Sequence, residues 1–132
     1  MRFFASIFKW IMLICGLLTC SMFIGLISPQ SSVKSNFGET LSASSYLDII
    51  VRSWAALIGL IGIMLIYGAF VPAVRQFALI IAGISKLIFI TLILSMGSQY
   101  LEFGVGTAVI VDSIMIVLFI VYLLLPQRSK LT

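Results

Sequence analysis

The 132-residue chain has no histidine, so the imidazole roles of general base, common metal ligand and haem ligand are all closed to it. Carboxylates are nearly as scarce. Glu39 and Glu102 fall in or beside loops, which leaves Asp48 and Asp112 as the only acidic groups in apolar segments and argues against acid–base catalysis. The two cysteines, Cys15 and Cys20, sit five apart in one apolar run. At about 100° per residue they point roughly 140° apart on a helix, so they read as buried apolar thiols rather than a redox pair. Proline occurs only as Pro29, Pro72 and Pro126, each at the edge of an apolar run, where it bounds helices instead of breaking them.

Charge is the largest deficit. Only 9% of residues are charged against a hydrophobic fraction of 62%, and a soluble fold of this size would have almost nothing polar to turn toward water. The net charge of +4 does not signal nucleic acid, because the basic residues form no stripe and are not interleaved with exposed aromatics. No internal repeat is evident.

What the chain does have is four apolar segments, at about 8–28, 46–70, 73–96 and 100–125. Each supplies the ~20 residues needed to cross ~30 Å of hydrocarbon. The expected fold is a single all-α membrane domain, a four-transmembrane-helix antiparallel bundle. Arg2 and Lys9 precede the first segment, Arg75 follows the second, and Arg128 and Lys130 follow the fourth. This bias predicts that both termini and the short second connection face the cytoplasm.

The first segment, with Trp10 at its start, has the outline of a signal peptide. Its core exceeds a typical signal core and no clear cleavage site follows, so a retained helix is expected. Gly16/Cys20 and Ser21/Gly25 give small-xxx-small spacings that favour close helix approach. Residues 29–45 read as a polar extracytoplasmic loop opened by Pro29, with serines at 31, 32, 35, 42, 44 and 45 around a turn-like Asn36-Phe37-Gly38. Without a base these serines solvate rather than attack. Phe37 and Leu41 are placed to dip into the interface or fold back over the bundle mouth. Ser45-Tyr46-Leu47-Asp48 forms a capping box for the second helix. That helix aligns Asp48, Arg52, Ala56 and Gly59, with Arg52 shallow enough to snorkel or to pair with Asp48. Trp54 and Tyr67 suit the aromatic belts at its two ends.

Lys86 lies near the middle of the third segment, on a face with Arg75, Leu79, Ala82 and Gly83 and beside Ser85. Asp112 lies in the fourth, on a face with Gly104, Ala108, Met115 and Phe119. Counted inward from Met96 and Phe103, both charges are roughly 13 to 15 Å deep. The tight turn Gly97-Ser98-Gln99 makes their helices neighbours. A lone charge at that depth costs several kcal/mol and a paired one is tolerated, which predicts a Lys86–Asp112 contact. Assisted by Ser85 and Ser113, it would fix helix register. With Arg52 it could instead line an outward polar pocket for a small anion, a lipid headgroup or a quinone carbonyl.

The run from Arg52-Ser53-Trp54-Ala55 to Gly62, the tight Pro72 to Arg75 turn and the Ser85-Lys86 step resemble the DoxX-like group of small bacterial four-span membrane proteins over nearly the whole chain. The resemblance implies a four-helix bundle and, as for some members, an accessory place beside membrane oxidoreductases. The leading expectation is thus a non-catalytic protein of the bacterial cytoplasmic (inner) membrane without a cofactor. It would act as an accessory or scaffolding subunit whose partners are lipid and other membrane proteins or its own copies. The alternative is a small lipid-, quinone- or anion-binding or transport protein using Arg52, Lys86 and Asp112.

Overall fold

A computed structural model describes residues 2–40 and 45–125, with side chains from Ser6 onward; Leu41 and Pro126 lie outside the described residues. These residues form α1 (Arg2–Cys20), a 3-10 turn (Ser21–Phe23), α2 (Ile24–Ile27), α3 (Pro29–Phe37), α4 (Ser45–Phe70), α5 (Pro72–Met96), a second 3-10 turn (Ser98–Tyr100) and α6 (Gly104–Leu123). Among them there is no strand. Four stretches are long and apolar enough to cross a membrane: Ser6–Ile27, Ser45–Phe70, Pro72–Met96 and Gly104–Leu123.

The expected loop after Pro29 is partly a helix. Pro29 ends α2 and also starts α3, because its fixed φ and missing N–H suit a first helical position. Gly38, at φ 68°, closes α3 in the left-handed region and donates its N–H to the Lys34 carbonyl at 2.9 Å. Asn36 and Phe37 therefore belong to α3 rather than to a turn. The fourth long helix begins at Gly104, not near residue 100, since Ser98 to Phe103 are taken up by tight turns. Ser45 is already the first residue of α4, and residues 41–44 before it lie outside the described residues. Asp48 turns its carboxylate to Arg52.

The closest helix approach joins α1 to α4. A Cβ added to Gly16 would stand 2.8 Å from the Gly62 carbonyl oxygen, and one added to Gly62 would stand 2.6 Å from the Cys20 nitrogen. The backbones touch there, and the Cys20 thiol donates to the Gly59 carbonyl at 3.6 Å. Further along, the Phe23 ring covers Gly59, and Gly25 meets Ala55. The packed face of α4 thus runs through Ala55, Gly59 and Gly62, while Ala56 is only half-buried. Gly83, expected to pack, meets nothing within 4 Å. In spans that are apolar all round, hydrophobicity does not tell the inner face from the outer one.

Phe8, Met12, Leu65, Leu79, Ala82, Met115 and Phe119 form one buried cluster toward the end of the molecule that carries the α4–α5 turn. Phe8 stacks on Tyr122 with ring centroids 4.1 Å apart. Beside them lies Arg75, which the sequence placed on the same face of its helix as Lys86. It is buried, with Nε donating to the Gly68 carbonyl at 3.0 Å, Nη2 to the Ala69 carbonyl at 2.8 Å and Nη1 to the Tyr122 hydroxyl at 3.3 Å. A cation there answers the unsatisfied carbonyls and negative dipole end of α4. Large apolar side chains such as Leu17, Leu57, Ile88 and Ile110 are exposed on all four long stretches, a surface that calls for apolar surroundings.

These contacts predict opposite outcomes for two glycines. Gly62→Ala forces backbone apart and should cost about 1–3 kcal/mol in detergent unfolding. Gly83→Ala should stay within about 0.5 kcal/mol of the parent or stabilise it. Equal losses at both positions would contradict the α1–α4 crossing.

Candidate functional site

Lys86 lies ten residues before the end of α5, and Asp112 eight residues after the start of α6. At 1.5 Å per residue both are roughly 12 to 15 Å in from the end that carries α3. There the ammonium donates to Asp112 Oδ1 at 2.9 Å, with the two side chains 8% and 16% exposed. Its second bond goes to α1, where Thr19 Oγ1 accepts at 3.3 Å. Thr19 in turn donates to the Cys15 carbonyl at 2.7 Å, so three helices meet at one polar knot.

Thr19 is the member that sequence reasoning missed. It is eight residues before the end of α2, the depth of both charges, and that matching depth was the available signal. Ser85 lines the space beside the pair. Ser113 is exposed and returns its hydroxyl to the Val109 carbonyl at 2.7 Å, so it does not assist the pair. A hydroxyl in an apolar helix satisfies itself most easily on its own preceding turn.

Above the knot, toward the α3 end, lies a cavity of about 270 Å³. Lys86 and Asp112 lie at its deep end, Ile61, Phe89 and Val111 are among its walls, and Asn36 and Trp54 stand nearer its mouth. Gly104 and Ala108 also line it, and Gly104 backs onto Ser35 and Asn36 of α3. Phe37 sits beside this mouth, 6.3 Å from the Trp54 ring and edge-on to Tyr100 at 5.2 Å. Trp54 is therefore part of an aromatic group at the cavity. Tyr67 and Trp10 are exposed, and the Lys9 ammonium lies 5.2 Å from the Trp10 ring and 5.0 Å from that of Phe70.

The anticipated grouping of Arg52 with Lys86 and Asp112 does not occur. Arg52 donates from Nε to Asp48 Oδ2 at 2.9 Å and from Nη1 to the Leu26 carbonyl at 2.6 Å, and it is not among the cavity-lining residues. It lies one helix face away, closing the carbonyl end of α2. Ala82 is buried in the core below the pair. Cys15 and Cys20 are both free thiols. Among the described residues, no three of His, Cys, Asp and Glu converge as a metal site would require.

Comparison with protein-family models, curated proteins and solved structures finds no match to the chain. The chemistry open to the site follows from its geometry. The ammonium has three N–H groups, of which two are used, and Asp112 Oδ2 takes no hydrogen bond among the described residues. The pair thus keeps one donor and one acceptor at the deep end of a mostly apolar cavity, beside the Ser85 hydroxyl.

Because each charge is tolerated only beside the other, Lys86→Met and Asp112→Asn should each destabilise by about 3–5 kcal/mol. The double variant should lose less than the two singles combined, as read by a double-mutant cycle in detergent unfolding. Additive losses would contradict the contact. Thr19→Val, which removes the bond accepted from Lys86 and the bond donated to the Cys15 carbonyl, should cost about 2–3 kcal/mol.

Proposed function

We propose that this chain is a multi-pass membrane protein, not an enzyme, which binds a small lipid-like molecule in the cavity above Lys86 and Asp112. The observation that carries this reading is an ion pair with its remaining donor and acceptor next to open space. For helix register alone, a well-packed apolar layer would serve as well or better. An intramembrane charge pair beside a mostly apolar cavity with few polar groups is instead what a ligand site needs.

The same proposal includes an antiparallel four-helix bundle with both termini in the cytoplasm, in the bacterial inner membrane, as in the DoxX-like group. Gly16 approaches Ile66, Cys20 approaches Gly62 and Gly25 approaches Ala55, an order that supports opposite directions for the first two long stretches. A single residue, Val71, links α4 and α5, which supports the same for the next pair. Lys9 lies beside Phe70, so the basic lead and the α4–α5 turn share an end. By the positive-inside bias that end is cytoplasmic and the cavity faces outward.

A second reading, the accessory or scaffolding subunit, is favoured by Gly83. It leaves an unfilled notch on α5, where the helix of another subunit or another copy would fit.

Native mass spectrometry of the protein in mild detergent or nanodiscs tests both. A retained lipid-sized mass near one per chain is expected, and it should be lost in Ala108→Leu, which fills the cavity. A parent protein that retains nothing overturns the ligand reading. A companion released by Gly83→Leu, with the lipid mass unchanged, would support the subunit reading, and a strict monomer counts against it.

A further inference from the structure

We infer that the molecule held at Lys86 and Asp112 is a neutral amphiphile with a hydroxyl-type head, and that its tail leaves sideways between α4 and α5. This rests on the ligand-binding reading above and specifies the ligand's chemical class and its route.

The first observation is charge. Among the described residues, Lys86 and Asp112 are the only charged ones lining the cavity, and they sum to zero. Arg52 and Asp48 pair with each other elsewhere, and Arg75 is at the opposite end. An anionic head would draw on the ammonium in competition with Asp112 and leave one negative charge unmatched in apolar surroundings. A cationic head would do the reverse. Burial of an unpaired charge costs far more than one hydrogen bond returns. A neutral head avoids both losses.

The second observation is the hydrogen-bond inventory. The deep end offers one spare N–H on Lys86 Nζ and one spare oxygen on Asp112. A hydroxyl matches both, since its oxygen accepts from Nζ while its O–H donates to Oδ2. An ester or ketone oxygen would meet only the donor and leave the carboxylate unmatched.

The third observation is the way out. An apolar groove of about 590 Å³ between α4 and α5 shares Trp54, Ile58, Ile61, Ser85 and Phe89 with the cavity. It continues over Leu57, Leu60, Met64, Ile88 and Leu92, with no charged residue along it among the described residues. Meanwhile Phe37, packed near Trp54 and Tyr100, crowds the α3 end. A head seated at the pair would therefore pass its tail out through the groove between α4 and α5.

Trp54 lines both spaces, and Trp10→Phe makes it the sole tryptophan, so its fluorescence reports occupancy directly. The full chain in nanodiscs is titrated with a dibrominated octadecanol, a heavy-atom quencher, and then with unlabelled competitors. Quenching should saturate. Octadecanol should reverse it at least about tenfold more effectively than octadecane, or than octadecanoate kept ionised at about pH 9. Asp112→Asn leaves Lys86 as a lone cation and should move octadecanoate ahead of octadecanol. Ser85→Phe, placed where cavity and groove join, should abolish the saturable quenching by dibrominated octadecanol. If octadecanoate competes as well as octadecanol on the parent protein, the neutral-head inference is overturned while cavity binding stands. If quenching never saturates, both fail. The ranking on the parent decides the matter even where a variant does not fold.

Discussion

The hydrogen-bonded ion pair between Lys86 and Asp112 divides this molecule into two unlike halves. On one side of it Phe8, Met12, Leu65, Leu79 and Phe119 are fully buried. On the other, helices of similar composition leave a cavity. The division follows from what a buried charge demands. An ammonium and a carboxylate must meet at hydrogen-bond distance, which sets α5 against α6 at that level, and the Thr19 hydroxyl then draws in α1. Beyond the knot α1 and α2 stay in contact with α4, with Cys20 on Gly62 and Gly25 on Ala55. The cavity opens between these helices and α5 and α6, with α3 at its mouth, where Gly104 backs onto Asn36.

Two of the remaining cations serve helix ends. Arg75 answers the last carbonyls of α4, and Arg52 answers the end of α2 while bonding to Asp48. In an apolar medium water is not at hand to satisfy these carbonyls, so the few cations of a nearly charge-free chain are used where backbone hydrogen bonds run out. Thr91, Ser95 and Ser113 do the equivalent within their own helices, each donating to a carbonyl one turn back. What distinguishes Lys86 and Asp112 is that, after bonding to each other, they keep capacity to spare on the side of the cavity.

Helix approach depends on a different resource. The α1–α4 crossing at Gly16 and Gly62 brings backbone against backbone, and the 3-10 turn at Ser21–Phe23 follows directly, turning Phe23 over Gly59. Dispersion and fit, rather than the removal of apolar area from water, hold such a crossing where the surroundings are themselves apolar. A single added methyl group is therefore felt there, whereas the same group at Gly83 meets open space.

The sequence by itself determined the four long apolar helices, their approximate limits and the depth of Lys86 and Asp112, because length, hydropathy and a 1.5 Å rise are properties of a chain taken alone. It also placed Arg52 one turn from Asp48, a local spacing that the helix converts into a contact. Only the tertiary structure decided which faces meet. It chose Ala55 over Ala56, left Gly83 open, buried Arg75, separated Arg52 from the pair and brought in Thr19. The physical reason is that a helix apolar on every side carries almost no periodic signal of orientation. Its rotation is fixed by the fit of small residues and by polar groups finding partners on other helices, and both exist only once the helices are together.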